Sequence, residues 1–197
     1  MIKVATAECF THGMIAREIH ALSQGYDGEF GCCYLTDDRY YINSEEISVP
    51  EISVICGIFV PTLEGLKYNL NIEPPQPHKV IKGVKVYDEK FDKQVAVLMA
   101  DAVKDISRAD IGIGTTAGIG MGGIAISTNE YTIITTSGYY ANLSYPCSSQ
   151  LLKRQQKGIE KALDIFLSVL NDDIGKIMNH DDVSLKMNVD SDAGFGI

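Results

Sequence analysis

Ala5-Thr6-Ala7-Glu8-Cys9-Phe10-Thr11-His12-Gly13 joins two segments of different periodicity. Residues 1–7 are a short apolar stretch that reads as a strand. Residues 14–22 place apolar side chains at helical spacing and read as an amphipathic helix. Cys9 therefore stands at a strand-to-helix junction. Unpaired backbone N–H groups and the positive helix end gather at such a place. They bind anions and lower the pKa of a thiol. A thiolate beside backbone donors and hydroxyls is what acyl chemistry needs, a nucleophile and a place for the developing oxyanion. The plain alternative is a small buried cysteine that only packs.

Outward from that junction, strands and helices alternate. Residues 30–35 and 39–42 read as short strands, with a turn at Thr36-Asp37-Asp38 between them. Residues 52–60 are a nearly continuous apolar run closed by Pro61, the pattern of a strand buried on both faces. Residues 73–78 contain Pro74, Pro75 and Pro77, so they form an irregular loop and a candidate lid. Phe91, Val95, Leu98, Met99, Ala102, Val103 and Ile106 mark a helix over about residues 88–107. Residues 109–114 read as a strand opening into the glycine-rich stretch 115–123, and residues 124–128 and 131–136 as two more strands. After a loop at 137–146, a helix spans about residues 148–170; a short helical turn at 173–179 and a polar tail from 181 come next. This order implies one domain over residues 1–197, a three-layer α/β/α sandwich with a mixed sheet. Ligands of such sheets bind at the carboxyl ends of the strands, where both the Cys9 loop and the glycine loop fall.

Composition narrows the function classes. A net charge of −9 argues against nucleic acid as the main partner, because phosphate binding needs clustered Lys and Arg. No apolar run is long enough to span a membrane, and the start shows no basic segment followed by an apolar signal core. The expected location is the cytoplasm. Five cysteines (Cys9, Cys32, Cys33, Cys56 and Cys147) with no C-x-x-C pair argue against a disulfide framework or a zinc cluster, and no metal site is expected.

Each remaining motif has more than one reading. Gly112-Ile113-Gly114-Thr115-Thr116-Ala117 fits the dinucleotide pattern G-x-G-x-x-G/A on paper, but a strand rather than the required helix comes after it. The other readings are a backbone that approaches a ligand closely, with Thr115 and Thr116 as donors, or a flexible turn. Cys147 is the rival nucleophile, since Ser148 or Ser149 can cap the 148–170 helix and set it near a positive helix end, but no acid or histidine stands near it in sequence, which favours a structural role. His12 reads as an oxyanion or phosphate donor, or as an exposed side chain at the helix start. His20, His78 and His180 are open candidates for a Cys-His dyad. Lys79, Lys82 and Lys85 read as a solvated edge or a phosphate contact.

The junction and the glycine loop together resemble known families. Residues 6–13 resemble the T-A-E-S-C-T-G-G signature of CinA C-terminal domains, the nicotinamide mononucleotide deamidases. Cys9 falls where that family has its catalytic serine; Thr11 and Gly13 match, and His12 replaces a glycine. The 118–123 loop resembles that family's G-x-A-G-P-x-G loop, with Ile119 in place of the proline. Over essentially the whole chain, the sequence resembles the HcgF family of methanogenic archaea, formerly the uncharacterised UPF0254 family. That family is associated with biosynthesis of the iron-guanylylpyridinol (FeGP) cofactor of Fe-hydrogenase.

The resemblance implies a CinA-like fold and binding of guanylylpyridinol, with no resident cofactor. It implies a thioester between Cys9 and the acetic-acid carboxyl of the pyridinol, after a separate E1-like enzyme has adenylylated that carboxyl. Glu8, Thr11, His12, Gly13, Thr115, Thr116, Ala117, Gly118 and Gly120 would then surround the ligand. Fold analogy adds an expected homodimer. The competing functions are an amidohydrolase acting through Cys9 on a pyridine nucleotide, and a carrier without covalent chemistry.

Overall fold

A computed structural model describes residues 1–26, 28–30 and 51–188. The expected hairpin at 30–42, with Cys32 and Cys33, lies outside the described residues apart from Phe30. In chain order the elements are β1 (Ile2–Glu8), α1 (Met14–Ser23), β2 (Ile52–Phe59), α2 (Leu63–Leu70), β3 (Lys79–Ile81), β4 (Val84–Val86) and α3 (Glu89–Ser107). Then come β5 (Ile111–Thr116), β6 (Ile119–Gly120), β7 (Gly123–Ser127), β8 (Tyr131–Thr135), β9 (Ala141–Asn142), α4 (Ser148–Leu170), α5 (Ile174–Met178) and β10 (Ser184–Met187).

The main sheet has the order β10-β8-β7-β5-β1-β2. β1 is parallel to both β2 and β5, and β7, β8 and β10 continue antiparallel. The sheet is therefore mixed, as expected. Strand alternation sends Val4, Ile111, Ile113, Ile124 and Ile126 to one face, where α1 and α4 supply Ile15, Ile19, Ile159 and Phe166. Ala5 and Ala7 face the other way, against Leu66 of α2 and Val95, Met99 and Val103 of α3. Helices thus cover both faces.

Three features depart from the sequence reading. Among the described residues β2 ends the sheet order rather than lying inside it, and its side chains alternate, with Ile55 and Phe59 exposed. An apolar run cannot distinguish a doubly buried strand from an edge strand that walls a cavity, and Phe59 does the latter. Helix α2 went unread although its ends are marked: the Thr62 hydroxyl accepts from the Gly65 N–H at 3.0 Å, and Asn71 closes the helix in the left-handed region. The polar tail supplies β10, and Asp182 just before it accepts hydrogen bonds from the Thr136 N–H and hydroxyl.

The glycines of β5 have a packing reason. A Cβ on Gly112 would stand 2.1 Å from the Ala100 carbonyl oxygen, and one on Gly114 2.0 Å from that of Ala96. Helix α3 lies directly on the strand backbone there. β5 leads into the β6 turn and antiparallel β7, not into a helix, so the pyrophosphate-binding geometry is absent from this stretch.

Candidate active site

The junction forms as the sequence suggests, but the Cys9 N–H and the first N–H groups of α1 are already used. The Cys9 N–H donates to the Thr115 carbonyl at 2.9 Å, which extends the pairing of β1 with β5. The chain then turns through His12 (φ 56) and Gly13 (φ 81), both left-handed, and α1 begins at Met14. Glu8 is fully buried. Its carboxylate accepts from the Thr11 hydroxyl (2.7 Å), the Thr6 hydroxyl (3.0 Å), and the Ile15 (3.2 Å) and Ala16 (2.9 Å) N–H groups. The positive end of α1 thus rests on Glu8, not on Cys9. Thr11 and Thr115 share a hydroxyl–hydroxyl bond of 2.7 Å within the same buried network. Glu8, Thr11 and Thr115 form a buried polar cluster next to Cys9, and Thr116, buried too, alternates to the opposite face of β5.

Cys9 opens on a cavity of about 360 Å³, walled by Phe10, His12, Phe59, Ala117, Leu143, Leu152 and Arg154 among others. That volume suits a small organic ligand. The His12 ring meets the Phe59 ring edge-on, 5.2 Å between centroids. A second depression of about 590 Å³, near Met14, Glu29 and Glu160, shares Leu152 and Gln155 with the first. The other histidines described stand elsewhere: His78 is paired with Asp88 and His180 with Asp164, and His20 is in the last turn of α1. The proline loop does not line the cavity, and the Tyr87 hydroxyl donates to the Pro75 carbonyl at 2.6 Å. Cys147 is exposed at the start of α4; its thiol pKa is lowered by the Ser149 hydroxyl first and the Gln150 N–H next.

The glycine loop is held from behind by buried charges. Asp92 accepts from the Gly118 N–H at 2.7 Å, and a Cβ on Gly118 would stand 2.4 Å from the Tyr87 carbonyl oxygen. Here the glycine admits the protein's own backbone rather than a ligand. On the opposite side Arg154, 2% exposed, donates to the carbonyls of Gly118, Gly120 and Ala141. Lys85 is 1% exposed, with its ammonium aimed at the Val60 and Pro61 carbonyls, so it is no solvated edge. Arg154 escaped the sequence reading, although a signal existed: it lies three residues after Leu151 and four before Gly158, on the stripe of α4 that faces the core.

Burial raises the Asp92 pKa to about 7, against the opposing pull of the Gly118 N–H and of Arg154. A carboxyl raised on folding binds more protons in the native than in the unfolded state between about pH 4 and 7. Its stabilisation is therefore full at low pH and is lost as pH rises through about 7. Asp92→Asn keeps an acceptor for Gly118 without the charge. Urea unfolding between pH 5.5 and 8 should show wild-type stability falling relative to Asp92→Asn by up to about 1.4 kcal/mol per pH unit, then levelling off. Parallel curves would show that Asp92 is already ionised throughout.

Taken together, the cavity offers one thiol, a buried guanidinium and aromatic walls, with no carboxylate among its described lining residues. This arrangement suits transfer of an acyl group to sulfur. Residues 1–170 match the family model described as FeGP cofactor biosynthesis protein HcgF. The chain is 45% identical over 172 residues to a UPF0254 protein of Methanothermobacter thermautotrophicus strain Winter, covering 87% of this chain and 98% of the relative. It is 41% identical over 182 residues to one of Methanopyrus kandleri, covering 92% and 94% respectively. It is 40% identical over 172 residues to one of Methanocaldococcus jannaschii, covering 86% and 97%. The chain belongs to the HcgF family of FeGP cofactor biosynthesis proteins.

Proposed function

We propose that the protein binds guanylylpyridinol and takes its acetic-acid carboxyl onto Cys9 as a thioester, after an E1-like partner has adenylylated that carboxyl. The Cys9 sulfur attacks the acyl carbon, a C–S bond forms, the C–O bond to the adenylate breaks, and AMP leaves. Activation is necessary because a free carboxylate is a poor acyl donor, whereas a thiolate accepts readily from an acyl-adenylate. The thioester would then be the activated acyl group from which the acyl–iron bond of the cofactor is made. The observation that carries this reading is the position of Cys9, just after β1, in the wall of a ligand-sized cavity. The adjoining depression beyond Leu152 and Gln155 leaves room for the nucleotide part of so long a ligand.

Intact-protein mass spectrometry tests it. Wild type and Cys9→Ala are each incubated with guanylylpyridinol, with and without the adenylylating enzyme and ATP. Wild type should gain the ligand mass less one water, reversibly with hydroxylamine, and Cys9→Ala should gain nothing. An adduct that persists in Cys9→Ala overturns the assignment. Binding to both forms without any adduct would make the protein a carrier, and ammonia release from a pyridine nucleotide amide would make it an amidohydrolase.

A further inference from the structure

Part of the local backbone is already spent. The Cys9 N–H is taken by Thr115, and the first N–H groups of α1 are served by Glu8. Arg154 lines the cavity together with the His12 ring and the Gln155 amide, and its hydrogen bonds are lopsided. Nη1 meets three carbonyls, those of Gly118 and Gly120 at 3.1 Å and of Ala141 at 3.0 Å, which exhausts its two protons. Nη2 has only the Ala117 carbonyl at 3.5 Å, the limit of a hydrogen bond. Nε is buried with no partner among the described residues. One side of the guanidinium is bolted to the glycine loop while the Nε–Nη2 edge keeps its donors unspent. That edge is the one a carboxylate takes side-on through two parallel bonds.

No described carboxylate fills that role. Among the described residues Arg154 makes no ion pair; Asp92 acts on it through space while one of its own oxygens serves Gly118 and the other has no partner. Lys85 is a second buried cation that acts on Asp92, its ammonium turned to the Val60 and Pro61 carbonyls. The Nε–Nη2 edge of Arg154 therefore lacks an anionic partner among the described residues, in a cavity wall that Arg154 shares with Cys9.

We propose that Arg154 is the carboxylate anchor of the Cys9 cavity, its Nε–Nη2 edge gripping the carboxyl oxygens of the incoming ligand and setting their carbon against the Cys9 sulfur. The chemical class selected is an arylacetate-type acid, with a flat ring between aromatic walls and a short carboxylate arm. In the activated acyl compound the same edge meets the carbonyl oxygen as it takes up negative charge during C–S bond formation. The inference deepens the acyl-transfer reading and rests on it for the ligand's identity, but not for the anion site itself.

Two alkylating agents that differ only in charge test the site. Cys9 displaces iodide from iodoacetate or from iodoacetamide, giving the carboxymethyl or carbamidomethyl thioether. The ratio of the two rate constants cancels the intrinsic reactivity of the thiol. Peptide mapping of the full-length protein reads Cys9 and, as an internal reference, the exposed Cys147. The iodoacetate-to-iodoacetamide ratio should be about tenfold higher at Cys9 than at Cys147, the scale of a charge-assisted contact. Arg154→Gln should bring it down to the reference and Arg154→Lys should keep part of it. Equal ratios at the two cysteines in wild type, or a ratio unchanged in Arg154→Gln, would overturn the proposal. Should Arg154→Gln not fold, protection of wild-type Cys9 from iodoacetamide by 2-pyridylacetate, but not by its amide, gives the same decision. A carboxylate preference without thioester formation would refute the acyl-transfer reading alone; a thioester without the preference would refute the anchor alone.

Discussion

Gly114→Ala should destabilise the protein by at least about 3 kcal/mol, at or beyond the upper end of ordinary overpacking costs. The added Cβ would stand 2.0 Å from the Ala96 carbonyl oxygen and 2.6 Å from the Ala100 nitrogen. Both are backbone atoms of α3, so no side chain can turn aside to relieve the clash. The helix must lift from β5, and with it Val95, Met99 and Val103 leave the core they share with Ala5 and Ala7. Against a typical domain stability of about 5–15 kcal/mol, that loss leaves little folded protein. Gly138→Ala is the comparison. Its φ is +69, with nothing within 4 Å of the added atom, so it should cost only the left-handed penalty of about 1–2 kcal/mol. Urea midpoints separate the two cases. Equal, small losses would mean that α3 is not seated on β5 as closely as these distances require.

That contrast explains what the sequence could and could not disclose. The strand–Cys9–helix junction was legible because β1 and α1 carry their own periodicities, and the limits of α3 and α4 were legible for the same reason. The antiparallel turn after β5 was also readable, from the lack of any helix after the glycines. The purpose of those glycines was not. Gly112, Gly114 and Gly118 look in sequence like a loop made for a ligand's phosphates, whereas each admits backbone from a segment at least twelve residues away in the chain. Only the packing of α3 and of Tyr87 reveals that. Likewise, local sequence assigned the helix end to Cys9, because side chains flanking a junction do not announce which of them will turn inward. Glu8 does, one residue earlier, and takes the donors. Thr11, Thr115 and Gly118 were picked out as residues around a ligand; the structure puts their polar groups to work beneath the cavity instead, while Cys9, His12 and Ala117 line it. Phe59 and Arg154 come from chain segments some 50 and 145 residues from Cys9 and carry no motif, so their convergence belongs to tertiary structure alone.

Glu8→Gln should be the most damaging single substitution near the site, costing about 3–5 kcal/mol, the range for removing one partner from a buried charged network. The wild-type carboxylate, with no exposure to solvent, receives four hydrogen bonds. A glutamine offers one acceptor oxygen, and its NH2 group brings donors towards the donors of Thr6, Thr11, Ile15 or Ala16. At least one helix N–H and one threonine hydroxyl lose their partner inside the protein, each at about 1–3 kcal/mol. The same change removes the negative charge on which the first turn of α1 is seated. Cys9 is the next residue in the chain, and the turn beyond it passes through the left-handed His12 and Gly13. That turn persists because both its ends are fixed, β1 by β5 and α1 by Glu8. Loosening the second end should therefore blur the direction of the Cys9 thiol. The expected pattern is a large drop in the urea midpoint together with loss of thioester formation, even under conditions where circular dichroism still reports folded protein. Thr6→Val, which removes one donor and leaves the carboxylate in place, should cost only about 1 kcal/mol and keep acyl capture. If Glu8→Gln is as stable as wild type and still forms the thioester, the carboxylate neither holds the helix nor aims the nucleophile. The order of the pair would also be informative: a Thr6→Val loss equal to that of Glu8→Gln would locate the support of Cys9 in the threonine hydroxyls rather than in the charge.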